Sequence, residues 1–126
     1  MNKTVIETGH NTPEVIFDPE NKKISISGIC TPENPRMYFK QIFMLMDEYL
    51  KENKNLSFNI HLNYYNSGST KCLLHLFMKI AVDPVIKAGS EVNWIIDEGD
   101  LELKESGQLF EEITNLKFNY VPAKDG

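Results

Sequence analysis

The chain has 126 residues, of which 41% are hydrophobic and 25% are charged, and its formal net charge is −5. This size and composition predict one globular domain over residues 1–126, with enough apolar side chains to bury a core without disulfides or a metal. The negative charge and the single arginine, Arg36, argue against nonspecific nucleic-acid binding. We find no apolar run of membrane-spanning length, no signal-peptide pattern and no disulfide framework, so we expect a cytoplasmic protein without a membrane partner.

Three strand candidates open the chain. Residues 4–8 and 14–18 are separated by a turn, and residues 24–28 follow the turn sequence DPENKK with isoleucines and serines in alternation. This pattern predicts a hairpin. The proline-containing segment 31–35 is then expected to interrupt the regular secondary structure.

A long helix is expected next, from Pro35 to about Lys54, because proline suits the first helical turn. Five apolar side chains share one face of this helix at helical spacing: Phe39, Ile42, Phe43, Met46 and Leu50. Met37, Met44 and Leu45 widen the apolar arc beyond an ordinary core stripe. Two interpretations stay open, namely a helix buried on a broad face or an adaptable, thioether-rich binding surface.

The segment 56–64 alternates strictly between apolar and polar residues, which is typical of a half-buried strand. One face is expected to carry the apolar members: Leu56, Phe58, Ile60, Leu62 and Tyr64. Residues 90–97 alternate in the same way. That second alternation predicts a buried Trp94 that faces the same side as Val92 and Ile96.

Helices are expected around these strands, over about 69–82 and 106–113, with a last strand at 117–121. Pro84 should end or kink the first of these helices. The acidic segment 97–105 lacks the ligand spacing of an EF-hand calcium loop. We therefore expect a solvated loop there, with a contact for a basic partner as the alternative.

The alternating strands decide the expected architecture. Parallel strands covered on both faces read as continuous apolar runs, whereas this sheet would have one polar face. We therefore expect an α/β fold in two layers, a mixed sheet with helices on one face only. A doubly wound fold is disfavoured.

A turn rich in hydroxyls, YYNSGSTK, lies between the central strand and the next helix. In one interpretation Ser67 or Ser69 caps the helix by accepting a backbone N–H bond. In the other the turn accepts a phosphate, because a helix N-terminus presents unpaired N–H groups and Lys71 lies in the first turn. Phosphorylation of a serine there would add about −1.5 to −2 charges.

An enzyme is the alternative class of function, as a small hydrolase or transferase with Ser67 or Cys72 as nucleophile. Neither the G-x-S-x-G motif nor the P-loop motif is present. His61 and His75 are available as bases, but their spacing commits neither to that role. The histidines and cysteines form no metal-ligand pattern, and we expect no metal and no other cofactor.

Four stretches together carry a family resemblance: TPEVIFDPENKKISISG, PENPRMYF, NYYNSGSTKCLL and VNWIIDEGD. From about Thr12 to Val121 the chain resembles the SiaC family of bacterial regulatory phosphoproteins. The resemblance implies a fold like the STAS domains of anti-anti-sigma factors, and partner switching rather than catalysis. A cognate Ser/Thr kinase and a PP2C-like phosphatase would toggle one hydroxyl at the turn, and the unmodified form would engage a downstream partner such as a diguanylate cyclase.

The family motif at the turn, approximately Y-F-N-T-S-S-S-K, aligns with residues 64–71. It implies that Ser67 is the phosphoacceptor, with Ser69 and Thr70 as fallbacks. Three neighbours would support the phosphate-bearing turn: Asn66, Gly68 and Lys71. Gly68 replaces a serine of the motif, which should loosen the turn.

We also expect one partner-binding surface that joins this turn to the exposed part of the Met-rich helix. Its members would be Met37, Met44 and Tyr65. A phosphate on Ser67 would place a strongly hydrated dianion where binding otherwise buries apolar area, and it would oppose binding.

Overall fold

The computed structural model describes residues 1–124. Its six strands are β1 (Thr4–Ile6), β2 (Glu14–Asp18), β3 (Lys23–Cys30), β4 (Ser57–Tyr65), β5 (Glu91–Ile96) and β6 (Phe118–Pro122). Its four helices are α1 (Pro35–Glu52), α2 (Ser67–Ala81), α3 (Pro84–Gly89) and α4 (Leu101–Thr114). Within the described part of the chain, no helix combines the length and the apolar character that crossing a membrane requires.

The strands form one mixed sheet in the order β1-β2-β3-β4-β5-β6. The first three strands pair antiparallel, and β3 to β6 pair in parallel. Each parallel connection passes through helix: α1 links β3 to β4, α2 and α3 link β4 to β5, and α4 links β5 to β6. The predicted hairpin and the predicted mixed α/β sheet are confirmed.

One face of the sheet is apolar and lies beneath the helices. Its side chains are almost completely buried: Val15, Phe17, Ile24, Ile26, Phe58, Ile60, Leu62, Val92, Trp94 and Phe118. The helices cover them with their own buried residues: Phe39, Ile42 and Met46 from α1, Leu73, Phe77 and Ile80 from α2, and Leu103 and Phe110 from α4. Burial of each large apolar side chain stabilises the fold by about 1.5–3 kcal/mol.

The opposite face of the sheet is polar and partly exposed. Nδ2 of Asn93 donates to Oδ1 of Asn59 at 2.8 Å, and Nδ2 of Asn119 donates to Oδ1 of Asn93 at 3.0 Å. The carboxylate of Asp97 is hydrogen-bonded to Nε2 of His61 at 2.8 Å, and this bond helps to lower the pKa of Asp97. Because these groups satisfy one another beside water, this face needs no second helix layer.

Trp94 lies at the centre of the core, as the alternation predicted. Its indole N–H donates to the carbonyl oxygen of Leu103 at 2.9 Å, so the buried donor is satisfied. Its ring centroid lies 5.7 Å from those of Phe110 and Phe118. A Cβ on Gly107 would lie 2.8 Å from the indole ring, so the bare backbone of α4 rests against Trp94.

The end of β4 departs from the predicted alternation. Its pairing with β3 shifts register between Gly28 and Ile29, which marks an irregularity of the β-bulge kind. The shift turns Tyr64 to solvent and packs Tyr65 against Trp94, with ring centroids 6.4 Å apart. The predicted place of Tyr64 on the apolar face is wrong.

Two helices differ from the sequence-based expectation. α4 begins earlier than predicted, so much of the acidic segment 97–105 is helical rather than a loop. Asp100 caps it by accepting a backbone N–H of the first turn at 2.9 Å. The sequence does not predict α3, because a proline at position 84 indicates the end or a kink of the preceding helix. Here Asp83 caps α3 and Pro84 occupies its first turn.

Replacing Trp94 with alanine should lower the free energy of unfolding by about 3–5 kcal/mol, because it removes a large buried side chain. Urea denaturation followed by far-UV circular dichroism measures this change. The matched control is Tyr64→Ala, an exposed aromatic on the neighbouring strand, which should cost about 0.5 kcal/mol or less. A Trp94→Ala protein with the parental unfolding midpoint would show that the register of β5 is wrong.

Candidate functional site: the turn before α2 and the groove beside it

Asn66 is the N-cap of α2. Its Oδ1 accepts the backbone N–H of Ser69 at 2.9 Å, and its Nδ2 donates to the carbonyl oxygen of Pro32 at 3.2 Å. One side chain therefore caps α2 and ties it to the loop that precedes α1. The interpretation in which Ser67 or Ser69 caps this helix is wrong, because the amide of Asn66 already supplies the acceptor.

The three hydroxyls of the turn have different environments. Ser69 is fully buried, and its Oγ accepts a 3.5 Å hydrogen bond from Sγ of Cys30. Thr70 is half-buried, and its Oγ1 donates to the carbonyl oxygen of Asn66 at 3.2 Å. Ser67 is the first residue of α2 and is exposed. Of the three, the hydroxyl at Ser67 is the one open to another protein.

Across the described residues, no hydrogen bond joins Ser67 or Cys72 to a histidine, although Cys72 and His75 both line the groove described below. Burial raises the pKa of the Cys72 thiol, which disfavours the reactive thiolate. His61 lies on the polar face of the sheet, where Asp97 holds it. His75 is two turns beyond Ser67 along α2, about 12 Å at 1.5 Å per residue. Within residues 1–124, no group of side chains suitable for holding a metal ion comes together.

Gly68 lets the N-terminal ends of α1 and α2 approach closely. A Cβ at this position would lie 2.8 Å from Cγ of Pro35. Gly68 belongs to α2 and has no positive φ, and the expectation that it loosens the turn stays a prediction. Its role is steric, since any side chain there would displace Pro35.

Helices α1 and α2 lie side by side and run in the same direction. Beyond the contact at their N-terminal ends, the rings of Phe43 and His75 pack with centroids 4.6 Å apart. Farther along, Nζ of Lys79 bonds Oδ1 of Asp47 at 2.7 Å. The positive ends of both helix dipoles therefore meet at the turn that carries Ser67.

A groove of about 1200 Å³ lies between the N-terminal halves of α1 and α2. We call it the cationic groove, since its lining includes three basic side chains, Arg36, Lys40 and Lys71. It also includes His75, with Met37 and Phe43 as apolar members and Glu33 as its carboxylate. Lys71 follows Ser67 by four residues, so both lie on one face of α2. A protein of net charge −5 thus gathers cations beside its one exposed turn hydroxyl.

A profile described as SiaC family regulatory phosphoprotein matches residues 6–123. The chain belongs to the SiaC family. Its fold is similar to that of apo-SiaC from Pseudomonas aeruginosa, with a TM-score of 0.81, 20% identity, and coverage of 98% of this chain and 100% of that one. The match to the complex of the diguanylate cyclase SiaD with its activator SiaC, from the same organism, has a TM-score of 0.84, 20% identity, and coverage of 95% and 99%. No curated protein matches the chain.

In this SiaC-family protein, the predicted partner-binding residues are not equivalent. Met37 and Met44 are 72% and 61% exposed. Tyr65 instead lies half-buried against Trp94, and burial raises its pKa. Tyr65 therefore contributes mainly to the core, and the methionines remain available at the surface.

Sequence reasoning did not assign Arg36 or Lys40 to the site, and it named His75, another member of the cationic groove, only as a candidate base. The sequence spacing indicates that these side chains share helix faces. Arg36 and Lys40 are four residues apart on α1, and Lys71 and His75 are four residues apart on α2. Residues four apart share one face of a helix. What the sequence could not show was that these two faces adjoin.

Replacing Asn66 with alanine should lower the free energy of unfolding by about 1 kcal/mol, because the N–H of Ser69 loses its acceptor. Ser67→Ala is the matched control, since it removes an exposed hydroxyl from the same turn and should change stability by about 0.5 kcal/mol or less. Chemical denaturation of both variants measures the difference. Equal losses would contradict the assignment of Asn66 as the cap.

Proposed function

We propose that this chain is a non-enzymatic regulatory protein of the cytoplasm, in which phosphorylation of Ser67 controls binding to a downstream partner. The observation that carries the proposal is the exposure of Ser67 beside one buried and one hydrogen-bonded hydroxyl. Membership of a family of regulatory phosphoproteins supports it. A cognate Ser/Thr kinase would add the phosphate, and a PP2C-like phosphatase would remove it.

The local structure favours a phosphate at this position. Ser67 is at the start of α2, where free backbone N–H groups and the helix dipole favour negative charge. Lys71 lies one turn along the same face. Because the cap is Asn66, modification of Ser67 would leave the capping hydrogen bond intact. Phosphorylation of Ser69 would instead require the turn to open, since that hydroxyl is buried.

The partner surface we propose joins the turn to the cationic groove and to the exposed Met37 and Met44. Flexible thioethers suit a surface that adapts to its partner. A phosphate on Ser67 would add about −1.5 to −2 charges at the edge of this surface. Its desolvation would oppose binding without a change of fold.

A diguanylate cyclase is the partner class that we propose for the unmodified form. The support is the fold match to SiaC in complex with the diguanylate cyclase SiaD of Pseudomonas aeruginosa, where SiaC is described as the activator. In this chain the partner would bind at the surface that holds Met37 and Met44.

Incubation with the cognate kinase and ATP should place a single phosphate on Ser67. Phosphopeptide mapping of the wild type identifies the residue, and Ser67→Ala should abolish the mass shift. Thr70→Ala is the matched control, because it removes a neighbouring hydroxyl and should leave the modification unchanged. Full phosphorylation of the Ser67→Ala protein at Ser69 or Thr70 would contradict the assignment.

Calorimetric titration with the partner should distinguish the effect of phosphorylation at Ser67 from the contribution of the apolar binding surface. Unmodified protein and Ser67→Ala should bind alike, whereas phosphorylated protein should bind at least about tenfold more weakly, equivalent to about 1.4 kcal/mol. Ser67→Asp should weaken binding in the same direction, with a smaller effect because aspartate carries less charge than phosphate.

Met44→Asp should also weaken binding, because it places a charge in the apolar part of the surface. Val85→Asp is the matched control, since Val85 is similarly exposed but lies on α3. Phosphorylated protein that binds as tightly as the unmodified form would refute the switch. Normal binding by the Met44→Asp protein would show that this part of α1 does not belong to the partner surface. It would not contradict control by phosphorylation of Ser67.

A further inference from the structure

The outer face of α4 carries apolar side chains that no other described element covers. Leu101, Leu109 and Ile113 are 71%, 56% and 54% exposed. With Glu105 they follow one another at intervals of four residues, which places them in one row along the helix. We call this row, together with the exposed flanking carboxylates of Glu102 and Glu112, the acidic ridge.

The acidic ridge is complementary to the cationic groove of the same protein. The ridge presents one carboxylate between leucines and two that flank the row, and the groove presents cations around Met37 and Phe43. Each surface carries one charge of the opposite sign, Lys104 on α4 and Glu33 at the groove. The row from Leu101 to Ile113 is about 18 Å long at 1.5 Å per residue, which is long enough to span the groove between the N-terminal halves of α1 and α2.

We propose that two copies of this chain associate face to face, with the acidic ridge of each copy in the cationic groove of the other. The fold allows both contacts at once. Helices α1, α2 and α4 connect successive parallel strands, so they lie in that order on the sheet and run in one direction. A two-fold axis parallel to the helices, between facing layers, places each α4 over the opposite groove. The result is a closed dimer rather than a filament.

Apolar burial and charge have separate roles in this dimer. Single exposed ion pairs contribute little, so the leucines, Ile113 and Met37 provide most of the association. The charges select the register, because a shifted or reversed arrangement would bring like charges together. Salt should therefore weaken the dimer without abolishing the apolar contact.

This dimer does not depend on phosphorylation, and it can be tested on unmodified protein. It would cover Met37 and the groove, so dimerisation and partner binding would compete for one surface. A phosphate on Ser67 would lie near the acidic ridge of the opposite copy and would favour the monomer.

Sedimentation velocity of the full chain over a concentration series is the test, in about 50 mM and about 500 mM NaCl, because salt screens exposed charges. A dimer of twice the 14.5 kDa chain mass is expected at low salt, with weaker association at high salt. Lys71→Glu and Glu105→Lys should each raise the dissociation constant by at least about tenfold. Glu20→Lys and Lys51→Glu, exposed charges outside both surfaces, are the matched controls and should behave like the wild type.

An equimolar mixture of the Lys71→Glu and Glu105→Lys proteins gives the sharpest result. In the mixed dimer, each groove meets a ridge of opposite charge, so association should return towards the wild-type value. Circular dichroism of each variant checks that the fold is kept. A wild type that stays monomeric to about 1 mM, far above the affinity range of specific complexes, would overturn the proposal. So would a dimer insensitive to both reversals, or a mixture that associates no better than either variant.

Discussion

The hydrogen bond from the Ser69 amide to the side chain of Asn66 fixes the arrangement of the whole site. Because an asparagine supplies the cap, the hydroxyl at Ser67 is left at the surface rather than folded back onto the helix end. The Nδ2 of the same amide donates to the carbonyl of Pro32, which connects the loop before α1 to the start of α2. The contact between Pro35 and Gly68, and the groove that opens beside it, follow from this attachment.

The parallel crossover connections determine where the positive electrostatic potential of this protein lies. Two helices that connect neighbouring parallel strands point the same way, so their positive ends lie together at one edge of the sheet. Arg36, Lys40 and Lys71 add to that potential, although the chain as a whole is acidic. The negative charge is carried elsewhere, including the outer face of α4. This separation of charge within a small protein is what gives its two helical surfaces opposite character.

The strands and their buried faces could be predicted from the sequence because alternation reports burial directly. Trp94 is the clearest case, since Val92 and the strand period alone placed it inside. Tyr64 and Tyr65 could not be placed in this way. Their orientation depends on a register shift at Gly28, a residue distant in sequence, and a one-residue shift exchanges the faces of every later side chain.

Prediction from the sequence has the same limit at the helix starts and at the candidate site. Serine and asparagine both cap helices, and the sequence interpretation named only Ser67 and Ser69 as caps, whereas the cap is Asn66. The charged segment 97–105 predicts a solvated loop, whereas Asp100 caps a helix there. An N-cap followed by an acidic first turn is favourable for a helix. The cationic groove needs α1 and α2 to lie in register with each other, which only tertiary packing decides.

The contact between Trp94 and α4 gives this protein a built-in optical probe. Trp94 is the single tryptophan of the chain, so its emission comes from one defined place. That place is the underside of α4, where the indole N–H is bonded to the carbonyl of Leu103 and the ring lies against Gly107. Any event that lifts or tilts α4 would admit water to the indole and shift its emission to longer wavelength. Movements of this helix can therefore be followed in the unlabelled protein, with no dye that would alter its charged outer face.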